Sequence, residues 1–437
     1  MKKTALSEAM CGRAVVALVP LATFALGLAF ASISLAQNAI TDWHAVMETT
    51  VAATGRKNVV ALPYFAYVDV AMYDAVNSID GRFQPFAVSV HAPPGASKDA
   101  AAATAAHDVL VNLFPAQKYP AQAPTFETAL ATSLAAIADG QSKTDGINVG
   151  KAVAAQWLAL RAGDGLEAAI TFTPGHGPGI WEPVPTYPAS PPTIPAPVGV
   201  WMRQFKPFAM TSADQFLADV APPLTLTSAA WARDFNLTKD YGALNSTVRT
   251  SAQTEIGLFW TDNAAAQDSR SFRALVASQS LDTAAAARLG AMYTVAASDA
   301  GTACMNAKYH FAFWRPYTAI HDADTDNNPS TVADPNWIPL APTPGHPEYP
   351  SNHACVTEAV MEVFSEFFDS DGIPYKITST VTGTTHSFTS FEDVVTEVGN
   401  ARIFGGMHFR HAVKEGNRLG RKVAEYVLKT HFQPKDE

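Results

Sequence analysis

Between residues 165 and 210 the chain leaves any pattern that could make a helix or a central strand. The stretch TPGHGPGIWEPVPTYPASPPTIPAPVGVW is dense in proline and glycine. Proline lacks an amide donor, its ring clashes with the preceding helical turn, and within sheets it is confined to edges. A segment this long without secondary structure is uncommon inside a compact domain. Its aromatic residues Trp181, Tyr187 and Trp201 argue for a wrap packed against the surface, not a free linker. The wrap divides the chain into two helical regions. Before it, apolar residues recur at helical spacing over 59–79, 99–114, 126–138 and 143–161, on Ala-rich faces, with Asp99 placed to cap the second. After it, 229–237, 246–259 and 283–310 carry the same period. No sustained period-two alternation is found; the Thr- and Val-rich segment 377–388 is expected as one small hairpin turning at Gly383. The expected class is all-α.

The N-terminus reads as a targeting segment. Lys2, Lys3 and Arg13 precede an apolar run from Ala14 to Ala36, and Ser34-Leu35-Ala36 fits a small-x-small cleavage site with Gln37 as the new terminus. The run is long enough to span a bilayer if retained, but Pro20 and the cleavage signal favour removal. The expected organisation is a signal peptide over 1–36, an N-terminal helical region over 37–164, the Pro-rich wrap over 165–227 and a C-terminal helical bundle over 228–437. The protein is expected to be exported, periplasmic or secreted, with no membrane attachment after cleavage. A chain of 437 residues, 48% hydrophobic, has ample material for a large core, and its net charge of −10 argues against nucleic acid and against an anionic membrane surface. Cys304 and Cys355 remain once the signal is removed. Export would permit a disulfide, but both lie in apolar helical runs and are expected as buried thiols.

Against this acidic background, three clusters in the last third of the chain concentrate positive charge and imidazole: Lys308 with Arg315-Pro316, then Pro350-Ser351-Asn352-His353, then Arg402 with His408. Lys308 and Arg315 are seven apart, which returns to nearly one face of a helix, and Pro316 should end or kink that helix beyond Arg315. Pro347 and Pro350 force an extended approach to Ser351, a good N-cap for an amphipathic helix whose first unpaired amides make an anion site. His353 falls in its first turn, near enough to exchange a proton with a bound oxygen. Gly405-Gly406 should stop a helix after Phe404 and let another begin near His408, leaving that ring free to bond a central atom. Converging, these groups would hold a charged oxygen-ligated centre, phosphate or vanadate. Asp322, Asp324, Asp326 and Asn328 suggest a calcium loop, but the turn glycine is replaced by Asn327 and the twelfth position is Ala333, so a solvated acidic loop is expected.

The blocks KYHFAFWRP (308–316), PSNH (350–353) and ARIFGGMH (401–408) resemble, in order and spacing, the signature of the acid phosphatase and vanadium haloperoxidase superfamily. Further stretches, among them AYVDVAMYDAVNSIDG, EIGLFWTDNA and WIPLAPTPGHPEYPSNHA, look like the larger secreted vanadium-dependent haloperoxidase-like proteins. The resemblance implies two four-helix-bundle-like halves with the site in the second. It implies vanadate as cofactor, held by Lys308, Arg315, Ser351, Asn352 and Arg402, with His408 as the central-atom ligand and His353 as acid–base partner. His346 lies where bromoperoxidases of the family carry His and the chloroperoxidase carries Phe, so the resemblance implies bromide or iodide oxidation. Two positions depart from the signature: its glycine is Asn352, which adds bulk and restricts the backbone, and the residue before the third-block Arg is Ala401 in place of Ser. The substrates implied are hydrogen peroxide, a halide and a small organic acceptor. Two other readings stay open: a secreted acid phosphatase with His408 as nucleophile, and a non-catalytic helical oxoanion-binding protein. A homo-oligomer is compatible with this reading.

Overall fold

The computed structural model describes residues 38–188 and 190–435. The expected signal peptide and its cleavage site lie outside the described residues. Five helices precede the wrap: α1 (Ala39–Ala53), α2 (Leu62–Asp80), α3 (Lys98–Leu113), α4 (Ala123–Ala135) and α5 (Gln141–Leu160). After it come α6 (Ala229–Gly242), α7 (Ser251–Phe259), α8 (Ala264–Ser278), α9 (Thr283–Phe311), α10 (Pro316–His321) and α11 (Asn352–Phe368). A hairpin of β1 (Tyr375–Thr378) and β2 (Thr385–Phe388) precedes α12 (Phe391–Phe404) and α13 (Arg410–Thr430). The protein is all-α apart from that hairpin, which is antiparallel, pairs Tyr375 with Phe388, and turns at Gly383 with φ 71. Helices α1, α8 and the short α10 have no counterpart in the sequence reading. The cap of α3 is Ser97, whose hydroxyl accepts from the Ala100 amide, and not Asp99, which takes the Thr283 hydroxyl instead.

The 29-residue α9 is the spine. Nearly all of it from Ala286 to Tyr309 is buried, because α2 packs on one side and α11 and α13 on the other. The α11–α13 contact is closest where glycine replaces a side chain. A Cβ at Gly420 would lie 2.0 Å from the Cys355 carbonyl oxygen, and one at Gly416 2.4 Å from that of Ser351. These two glycines let α13 seat directly against the first turn of α11. Cys304 and Cys355 are buried free thiols, giving their S–H groups to the carbonyls of Pro350 and Ala300.

The wrap is packed, as its aromatic content requires. Trp181 is fully buried, its amide bonds the Ala312 carbonyl at 2.7 Å, and Ile180 bridges Phe313. Farther along, the Val198 amide bonds Gly345 at 2.8 Å. At its end the buried Asp299 carboxylate of α9 accepts the amides of Phe208, Ala209 and Met210 at 2.7–2.8 Å. The acidic segment is only partly solvated. Asp326 is buried and accepts from the Trp231 indole and the Thr331 hydroxyl. A buried carboxylate needs such donors, so Asp326 ties α6 to this loop.

Candidate oxoanion site

The three clusters do converge, but Lys308 and Arg315 do not share a helix. Helix α9 ends at Phe311, where Ala312 turns left-handed (φ 44), and Arg315 is extended (ψ 158) at the N-cap of α10. Pro316 drives the residue before it out of the helical region and takes the first helical position itself. The two cations are brought together by a reversal held by the wrap. Lys308 Nζ donates to the carbonyls of Pro347 and Glu348 at 3.1 and 2.9 Å. Arg315 spans the site: Nε to the His346 carbonyl at 2.8 Å, one terminal nitrogen to the Met407 carbonyl and His408 Nε2 at 3.0 and 3.3 Å, the other to His346 Nδ1 at 2.9 Å. Arg402, in the last turn of α12, donates to the Trp260 carbonyl at 2.6 Å.

Ser351 is the N-cap of α11, yet its hydroxyl makes no capping bond; it is buried and unpartnered. So are Arg402 Nε and Asn352 Nδ2. Asn352 sits at the first helical position with ordinary backbone, so replacing the signature's glycine costs no strain there and adds a side-chain donor. Buried polar groups without partners are uncommon; here the Ser351 hydroxyl, Asn352 Nδ2 and Arg402 Nε, together with Glu348 Oε2, cluster beside the buried cations Lys308 and Arg315.

Electrostatics points the same way. Burial, with Arg315 nearby, lowers Lys308 to about 7; burial lowers Arg315 to about 10, and burial plus Arg315 lowers Arg402 to about 9. Burial, followed by the surrounding cations, holds His346, His353 and His408 well below the usual imidazole range, so all three are neutral at neutral pH. Among the described residues one carboxyl sits directly against this group, Glu348, which burial raises to about 7 against the pull of Lys308. An excess of buried positive charge is costly unless an anion compensates it.

Glu348, between Pro347 and Tyr349, escaped the sequence reading. It is fully buried, and its Oε1 accepts from His408 Nδ1 at 2.9 Å and from the Phe409 amide at 3.0 Å. That network assigns the proton of His408 to Nδ1. Nε2, facing Arg315, then carries the lone pair, the form in which imidazole binds an electrophilic centre. His346 Nδ1 faces two partners, the Arg315 guanidinium at 2.9 Å, which can only donate, and the Pro347 carbonyl at 3.2 Å, which can only accept; the shorter contact favours the tautomer with its proton on Nε2.

Of these residues His346, Asn352, His353, Arg402 and His408 line a cavity of ≈ 50 Å³ that continues past Trp260 and Val356 to Asn58, Leu62 and Asp268. Lys308, Arg315 and Ser351 do not line it; fully buried, they stand behind its wall. About 10–15 Å³ admits one water-sized centre, so this cavity, which runs from His408 to Asp268, has room for a few such groups. Room, spare donors and uncompensated cations all fit an oxoanion such as vanadate.

Residues 288–436 match the family described as the VCPO second helical-bundle domain. The second bundle belongs to the vanadium haloperoxidase family. A curated relative, the vanadium chloroperoxidase of Curvularia inaequalis, is 32% identical over 153 residues, covering 29% of this chain and 24% of that protein. The match thus spans about a quarter of that relative's length. Beyond the bundle the likeness is one of fold. A bacterial vanadium-dependent iodoperoxidase superimposes with TM-score 0.70 at 21% identity, covering 91% of this chain and 96% of its own. A holo-type bacterial vanadium-dependent chloroperoxidase superimposes with TM-score 0.66 at 15% identity, covering 85% and 92%. The haloperoxidase fold therefore extends through the N-terminal helices and the wrap.

Proposed function

We propose that the protein is a vanadate-dependent haloperoxidase that oxidises a halide, bromide or iodide in preference to chloride, with hydrogen peroxide. The observation that carries this reading is the cage of Lys308, Arg315 and Arg402, with three spare donors, around a His408 whose Nε2 is proton-free. In it, the three cations, the Ser351 hydroxyl and the first amides of α11 would hold the oxygens of vanadate, and His408 Nε2 would bond the central atom. Bound vanadate supplies a Lewis-acidic centre that activates peroxide toward a halide. His353 makes no hydrogen bond to the protein among the described residues and lines the cavity, so its neutral ring is positioned to take a proton from an incoming peroxide and return it later. His346 presents Nε2–H as a donor from the cavity wall, and it also fixes Arg315. This double role couples the polarity near bound peroxide to the geometry of one cage cation, and it is at this ring that the proposed halide preference would be set.

The test is direct. The purified protein should halogenate a dye only after vanadate is added, with bromide and iodide exceeding chloride, and inorganic phosphate should compete. His408→Ala should abolish most of the vanadate-induced rise in melting temperature; His353→Ala should keep that rise and lose turnover. Hydrolysis of a phosphomonoester by vanadate-free protein, with vanadate inhibiting and no halide oxidised, would make the phosphatase reading correct instead.

A further inference from the structure

The cavity has a second charged end that the oxoanion chemistry does not use. Asp268, on the fifth residue of α8, lines it together with Val59, Leu62, Trp260 and Val356. Protein surrounds this carboxyl, yet it keeps accessible surface and makes no hydrogen bond or ion pair among the described residues. Its obvious partner is engaged elsewhere: Arg270 donates to Glu48 and Asp262. The neighbouring Arg273 donates to Glu48 as well. Burial raises the Asp268 carboxyl to about 7, Arg270 only partly offsetting it. The other titratable groups facing it are Tyr293 of α9 and Tyr375 of β1, and, across the cavity, the imidazoles and Arg402 of the cage. The Asp268 side of the cavity is fixed in place, because Asn58 and Asn263 tie the start of α8 to the turn before α2 by reciprocal bonds at 2.9 and 3.0 Å. The cavity is therefore bipolar: Arg402 and the imidazoles line one part of it, Val59, Leu62 and Val356 are apolar, and one unpaired carboxyl, Asp268, lines another part.

We propose that Asp268 is a recognition residue for a cationic amine carried on an apolar stem, and that the organic acceptor of this protein is of that chemical class. A half-desolvated carboxylate gains most from a charged donor that replaces its lost water. It also disfavours an acceptor that brings a second negative charge into the same narrow space. The proposal rests on the oxoanion cage described above, which supplies the inner anchor.

The experiment uses ligands that place phosphate in the cage and a variable group toward Asp268. A series of ω-aminoalkyl phosphates, ethyl to hexyl, is compared with ω-carboxyalkyl phosphates of equal length. Binding is measured by calorimetry and thermal shift on the whole protein at a series of pH values spanning pH 7, where the Asp268 carboxylate and protonated Lys308 are both populated. Wild type should favour the amine over the carboxylate by about tenfold or more at one or more lengths, the size expected of one hydrogen bond to a charged group. Asp268→Asn should erase that preference while keeping the wild-type response to inorganic vanadate, which also shows that the variant is folded. Absence of a preference at every length in wild type, or its persistence in Asp268→Asn, would overturn the proposal. If inorganic vanadate and phosphate themselves fail to bind, the cage reading fails, and Asp268 loses the inner anchor on which its role depends.

Discussion

Glu348→Gln tests whether the tautomer of His408 is set by a buried carboxylate. The substitution keeps an oxygen able to accept from His408 Nδ1 and the Phe409 amide, which now lie 2.9 and 3.0 Å from Oε1. What it removes is the charge. A hydrogen bond to a charged group contributes about 1.5–3 kcal/mol and a neutral one about 0.5–1.5, so the interaction should weaken by about 1 kcal/mol. That predicts a vanadate affinity lower by roughly fivefold, smaller than the range of about 10–100-fold seen when an outer partner of a metal-bound imidazole is lost outright. A second effect adds to it: Glu348 helps keep Lys308 protonated. Without that charge the Lys308 titration moves down, and vanadate affinity should begin to fall at lower pH than in wild type. Glu348→Ala goes further, leaving the His408 Nδ1–H and the Phe409 amide without their acceptor, and should destabilise the fold by about 1–3 kcal/mol. Vanadate titration by calorimetry across pH, with ¹⁵N chemical shifts of His408 for the tautomer, measures both effects. Unchanged affinity and an unchanged ¹⁵N pattern in Glu348→Gln would refute the assignment.

Oxoanion affinity in wild type should decline as pH rises above about 7, because the anion binds the protonated form of Lys308, whose own titration burial has lowered to about 7; proton uptake on binding, measured in buffers of different ionisation enthalpy, checks the sign. The same shift means that the unfolded chain binds more protons at this lysine between about 7 and 10.5, so its contribution to anion-free stability should rise with pH through that window. His346→Phe deletes the acceptor for one terminal nitrogen of Arg315, and should both weaken vanadate binding and change the bromide-to-chloride ratio in halogenation assays; a changed ratio at unchanged vanadate affinity would separate the two roles given to this ring. Gly420→Ala places a methyl group against the Cys355 carbonyl and should cost about 1–3 kcal/mol by denaturant titration. N-terminal sequencing of exported protein should read Gln37-Asn38-Ala39, and a mature chain that retains 14–36 would refute cleavage.

The site was legible where chemistry lies in short blocks. Ser351, His353, Arg402 and His408 sit beside helix boundaries that the proline and glycine positions announce, and the stop after Phe404 falls where Gly405-Gly406 puts it. Legibility failed where tertiary contacts choose the geometry. The seven-residue spacing of Lys308 and Arg315 suggested one helix, but the bond from Trp181 to Ala312 belongs to a segment more than a hundred residues away. Glu348 gave no signal because it lies between prolines, in no periodic pattern, and its meaning depends on a histidine sixty positions later. Helix α8 was missed because its apolar positions, Phe272, Leu275 and Val276, are diluted by Ala, Ser and charge. The all-α class did not depend on any of these.

The wrap makes the site a late product of folding. Its residues 180 and 198 are joined to 313 and 345, the two turns that aim Arg315 and present His346. Contacts that close such long loops form slowly, since the entropy of closure is lost before the contact rewards it. The helices can therefore assemble a nearly complete core while the cations remain unaligned. A single proteolytic nick within 181–198 would leave that core standing and unfasten the reaction centre, so this protein should lose oxoanion binding well before it loses its helical circular dichroism.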